Sequence, residues 1–130
     1  MRTINTHQTP GAETSLTVTV NDTPSSGNAS NSYFVGGLDT RTNASEIPGE
    51  ASNEIKILFQ SGPITEHGQN GLTIETLLAI CADRLACFQA GPFACRDNEE
   101  AKQHIEAAKE CLQRRTLKRV AAGKEGTLIP

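Results

Sequence analysis

Apolar residues along this chain change their spacing near its middle. In the first half they recur at every second position in short runs: LTVTV from Leu16 to Val20, SYFV from Ser32 to Val35, and EIKILFQ from Glu54 to Gln60. In the third run Ile55, Ile57 and Phe59 fall on one side and Lys56, Leu58 and Gln60 on the other. Alternation of β-branched and aromatic residues with polar ones marks a half-buried strand. Three strands in a small antiparallel sheet are therefore predicted. Turn-forming residues close each run: NDTPSSGNASN after the first, Gly36-Gly37 after the second, and SGP after the third, where a proline cannot donate to the ladder.

From Thr73 the period lengthens. Ile74, Leu77, Leu78, Cys81, Leu85 and Phe88 share one helical face, with Asn70-Gly71 as the preceding turn and Thr73 as the N-cap. FQAGPFACRDN then separates this helix from a second one. The second is expected to open at Asp97, with Glu100 as its capping-box partner, and to stop at Gly123. Its apolar stripe would be Ala101, Ile105, Ala108 and Leu112, and Glu110 could pair with Arg114 one turn on. The fold class is α+β: a small N-terminal antiparallel β-sheet (residues 1–62) followed by a C-terminal antiparallel helical hairpin (63–130), in one domain.

Composition narrows the function. The chain has 130 residues, a hydrophobic fraction of 36%, no tryptophan and a formal net charge of -3. Burial is then expected to come from aliphatic side chains, with a subunit interface as a further source, and the net charge argues against nonspecific nucleic-acid binding. No apolar run reaches the roughly 20 residues that cross a bilayer, and MRTINTHQTPGAETS has no secretory core. Cys81, Cys87, Cys95 and Cys111 form no C-x-x-C pair and have no histidine at ligand spacing. Reduced thiols in a cytoplasmic protein, with no metal and no cofactor, are the expectation.

Two clusters remain as candidate chemistry. Continuing the second stripe past Leu112 reaches Arg115 and Arg119, whose planar forks suit phosphate oxygens. Bases at a helix C-terminus also complement its dipole, so either role fits; Arg114 and Lys118 fall on a neighbouring face as solvated charges. Near the interhelical turn lie Phe88, Phe93 and Asn98. Phe88 could close the core, Phe93 plug the open end, and Asn98 reinforce a cap. Together they also offer an aromatic face and an amide for a nucleobase.

One helix carries both Asn98 and Arg115, about 25 Å apart at about 1.5 Å per residue. A compact ligand cannot touch both within one chain. Two hairpins packed head to tail in a two-fold dimer would bring the turn of one protomer beside the basic end of its partner.

The stretch FQSGPITEHGQNGLTIETLLAICADRLACFQAGPFACRDNEEA, with CLQRRTLKRVAAGKEGT after it, resembles the phage Thoeris anti-defence sponge family, the first of its named types. That family shares its helical hairpin module with phage sponges that counter CBASS. The resemblance runs from about Phe59 to Thr127 and departs from the common pattern at His67-Gly68-Gln69, Ala122, Lys124 and the closing LIP. It implies a non-enzymatic protein of the infected bacterial cytoplasm that sequesters cyclic ADP-ribose isomers, with cyclic di- or trinucleotides as further ligands. It also implies a homodimer and its trimer-of-dimers assembly, a hexamer. By motif position Phe88 would stack on adenine, Asn98 would hydrogen-bond the ligand, and Arg115 and Arg119 would hold the pyrophosphate. Arg96 would serve a second type of site.

Two other functional classes compete with this one. An enzyme that degrades cyclic nucleotides finds little support, because His7, His67 and His104 are scattered and no nucleophile has a base beside it in sequence. A small nucleic-acid binder using QRRTLKR would bind long polymer in a salt-sensitive way.

Overall fold

The structure, a computed structural model, describes residues 1–12, 14–25 and 27–130. It divides into two compact units, Met1–Ser61 and Gly62–Pro130.

The first unit is a four-stranded antiparallel meander. β1 (Arg2–Ile4), β2 (Thr17–Val20), β3 (Ser32–Gly36) and β4 (Ile55–Leu58) lie in chain order across the sheet. The registers Val18↔Val35, Val20↔Tyr33, Tyr33↔Ile57 and Val35↔Ile55 put the apolar set of three strands on one face. Strand alternation fixes this, since directly opposed residues point to the same side. Val20 is 1% exposed and centres this small core. Tyr33 meets Phe59 edge to face, with ring centroids 5.6 Å apart.

The sheet gains one strand over the three expected. β1 has only three residues, and its apolar content is the single Ile4, which pairs with Val18. Pairing to an existing strand, rather than its own pattern, makes it a strand. The loop between β2 and β3 is organised by Asp22, whose carboxylate accepts the Asn31 and Ser32 N–H groups at 2.8 and 3.2 Å. Ser26, in that loop, and Glu13 lie outside the described residues. Gly37, at φ 78°, approaches Ser15 so closely that a Cβ would collide with the Ser15 carbonyl. Only glycine fits there.

The second unit is the hairpin. A short helix α1 (Ile64–His67) precedes α2 (Ile74–Gln89) and α3 (Arg96–Ala121), which pack against each other. The Thr73 side chain caps α2 by accepting the Thr76 N–H, as its position predicts. Helix α3 ends in a Schellman turn: Gly123 at φ 70° sends its N–H to Val120 O, and Lys124 N–H reaches Arg119 O.

Three expectations for α3 need correction. The N-cap is Cys95, whose Sγ accepts the Asn98 N–H at 3.4 Å, and Asp97 sits inside the first turn. Cys95 is held extended by Gln89, which accepts its N–H and donates to its carbonyl, each at 3.0 Å. The buried stripe also differs: Ala101 and Ala108 are exposed, and a half-buried row runs through Asn98, Lys102, Ile105, Lys109, Leu112, Thr116 and Arg119, with Glu99 and Glu106 half-buried along its flank. Steps of four and three give the 3.5-residue period of a coiled-coil seam. Long lysine stems cover apolar surface there while their charged ends reach solvent, as Lys102 does toward Glu106 at 3.8 Å. Finally, Arg114 turns to Cys111 Sγ at 3.2 Å and forms no ion pair with Glu110 among the described residues.

Isolated, the hairpin buries little. Ala82, 7% exposed, and Pro63 are its buried apolar side chains among the described residues, while Ile74, Ile80, Phe93, Leu117 and Val120 stand in solvent.

Candidate functional site

The hairpin carries its candidate chemistry at two ends. At the bend, the last turn of α2 presents Phe88, half-buried, with Phe93 against it at a centroid distance of 6.3 Å and an interplanar angle of 86°. The Arg84 guanidinium, one helical turn earlier, lies 5.0 Å from the Phe88 ring centroid. A cation over an aromatic face is attracted to the ring's quadrupole. Phe93 is 71% exposed, so it leaves the bend open rather than plugging it.

Asn98 shapes this end as well. Its side-chain amide donates to the Phe93 carbonyl at 3.2 Å, tying the turn to the first turn of α3. Arg96 is exposed at the mouth of a groove of about 720 Å³, beside Gln89, Cys95, Glu99 and His104. The structure thus gathers Phe88, Asn98 and Arg96 around one bend. The Gln89 clamp and the Arg84 cation were not foreseen; spacing alone could have shown Arg84, which precedes Phe88 by one turn.

At the other end of α3 is a pocket of about 360 Å³. Arg114, Arg115, Lys118, Arg119 and Lys124 line it, together with Cys111, Ala122 and Pro130. No acidic side chain is among these residues. Arg114 and Lys118 therefore belong to the same pocket as Arg115 and Arg119, against the expectation of a separate solvated face. The reason is that the tail folds back beside the helix end and makes one concavity of its neighbouring faces.

The cations differ in what they can offer. Arg115 is exposed and has no hydrogen bond or ion pair among the described residues, so its fork is available. Arg119 is half-buried and already bonded, to Glu125 Oε2 at 3.1 Å and to the carbonyls of Lys124, Thr127 and Ile129. Helix α3 separates this pocket from the bend by about 25 Å, and the structure does not bring the two clusters together in one protomer.

For a metal, the described residues hold no group of three or more histidine, cysteine, aspartate or glutamate side chains. All four cysteines are free and exposed. Among the described residues no helix is long and apolar enough to cross a membrane.

The family model described as the Acb2/Tad1 hairpin domain matches residues 51–116, half of the chain. The matched segment includes Phe88, Arg96, Asn98 and Arg115, and Arg119 lies just beyond it. Thoeris anti-defense 1 of Bacillus phage SBSphiJ7 is 38% identical to this chain over 95 residues, covering 73% of the chain and 65% of that relative. The chain thus spans just under two thirds of that relative's length. The chain belongs to the Acb2/Tad1 hairpin-domain family, which bears out the resemblance seen in sequence.

Proposed function

We propose that this member of the Acb2/Tad1 hairpin-domain family is a phage anti-defence sponge acting in the bacterial cytoplasm. It captures cyclic ADP-ribose-type immune signals, keeps them intact and so prevents activation of a Thoeris effector. The observation that carries this reading is the cationic pocket at the end of α3, with Arg115 unpaired and no acidic side chain in its lining. Charge-assisted hydrogen bonds from guanidinium groups suit a pyrophosphate.

The ligand's base would stack on Phe88, Asn98 would hydrogen-bond its edge, and Arg115 and Arg119 would face its pyrophosphate. Since one chain holds these groups at opposite ends of α3, the complete site needs a second protomer running antiparallel. The exposed Ile74, Ile80, Leu117 and Val120 supply apolar surface for that pairing. Arg96 and its groove are the place for a cyclic di- or trinucleotide in a larger, hexameric assembly.

The test is retention. The protein is mixed with a panel of cyclic ADP-ribose isomers and cyclic di- and trinucleotides and then passed through a sizing column with mass detection. A cyclic ADP-ribose isomer should travel with a dimer or larger species. A monomer that retains it equally well contradicts the shared site, and no retention contradicts the function.

A further inference from the structure

The chain after α3 returns over the arginine that the resemblance gives to phosphate. Past Gly123, Arg119 donates Nε to Glu125 Oε2 at 3.1 Å, Nη1 to the Ile129 carbonyl at 2.7 Å, and Nη2 to the Lys124 and Thr127 carbonyls at 2.8 and 3.3 Å. A guanidinium carries about five N–H donors. Those four bonds leave it a single N–H, on Nη1. The same segment is tied a second time, because the Thr65 N–H and hydroxyl both reach the Gly126 carbonyl, at 3.3 and 3.1 Å.

We propose that residues 124–129 are a positioning strap for the cationic pocket, with Glu125 as its charged contact. The strap fixes Arg119 as one aimed donor, while Arg115 supplies the free fork. This rests on the ligand-capture reading above and adds how its anion pocket is pre-formed. An arginine held in place gives up little further rotamer freedom when an anion arrives, so binding loses less to ordering. Simple electrostatics points the other way: deleting a carboxylate next to an anion pocket should strengthen anion binding. The two effects predict opposite signs for one substitution.

The experiment uses the full chain and two probes, cyclic ADP-ribose and inorganic pyrophosphate. Glu125→Gln should weaken retention of whichever probe the wild type binds by about fivefold or more, and Glu125→Asp should recover part of it. Arg119→Gln combined with Glu125→Gln should bind no worse than Arg119→Gln alone, since both act through one contact. Amide exchange at Thr127 and Ile129 should rise in Glu125→Gln and in Arg119→Gln. Both amides are hydrogen-bonded within the strap, Thr127 to the Lys124 carbonyl and Ile129 to Thr127 Oγ1. Unchanged or tighter binding in Glu125→Gln overturns the proposal, as does unchanged exchange. If the wild type retains neither probe and none of the cyclic ADP-ribose isomers in the panel above, the ligand-capture reading fails, and the exchange measurement still decides whether the strap holds Arg119.

Discussion

Gln89 and Cys95 close the hairpin bend through two hydrogen bonds, one in each direction and each 3.0 Å long. The Gln89 amide acts as a surrogate backbone, satisfying both main-chain groups of the residue that caps α3. This explains how a thiol, a weak acceptor, can serve as an N-cap: the Cys95 backbone is already extended and held.

Gln89→Ala should therefore destabilise the hairpin by about 1–3 kcal/mol, the range for stranding hydrogen-bonded groups. Cys95→Ser, which keeps a capping acceptor, should stay within about 1 kcal/mol of wild type. Denaturant unfolding of the full chain measures both. Equal losses in the two variants would mean that the thiol, and not the amide clamp, organises the bend.

Phe88→Ala should weaken retention of a cyclic ADP-ribose ligand while the helical signal persists, because Phe88 is half-buried and lies at the edge of the packed seam. Losing a stacked base is worth about 1–3 kcal/mol, or about 5- to 150-fold in affinity. Arg84→Met removes only the cation over the ring and should cost less, about 0.5–1 kcal/mol. Calorimetric titration separates the two, and an Arg84→Met loss as large as that of Phe88→Ala would give the guanidinium the main role.

Arg115→Ala should leave thermal stability nearly unchanged, since the side chain is exposed and unpaired. Ligand affinity should fall by about 1.5–3 kcal/mol, the worth of hydrogen bonds to a charged group. Wild-type binding together with wild-type melting would remove Arg115 from the site.

The loop between β2 and β3 should respond to acid. Hydrogen bonds from the Asn31 N–H, chiefly, and from the Ser32 N–H hold the Asp22 carboxyl below its ordinary value of 3.8. A carboxylate whose folded value is lowered contributes stability that is fully present above the unfolded value and is lost as pH falls through the folded one. The Asn31 and Ser32 amide resonances should therefore shift on acidification below 3.8, and Asp22→Asn should remove that titration. Amides that titrate identically in the variant would place the responsible group elsewhere.

What could be read from residue order was whatever depends on local pattern. Alternation located β2, β3 and β4, threonine located the start of α2, and glycine located the end of α3. What could not be read depends on partners. β1 exists through its pairing with β2, and the seam of α3 uses Lys102 and Lys109 where Ala101 and Ala108 looked better suited, and Thr116 where the stripe was expected to continue through Arg115. An alanine is too short to cover a facing helix, whereas a lysine stem reaches across it. The two ends of the candidate site were legible as residue types. The commitment of Arg119 was not, because three of its four acceptors are backbone carbonyls, which every residue carries alike.

Capture without chemistry is the central claim, and recovery of the ligand tests it most directly. The protein is saturated with a cyclic ADP-ribose isomer, washed free of unbound ligand, heat-denatured, and the released nucleotide is identified by mass and chromatography. Intact cyclic ligand returned in proportion to the number of sites is the predicted result. Linear ADP-ribose or smaller fragments in its place would contradict it and make this chain an enzyme.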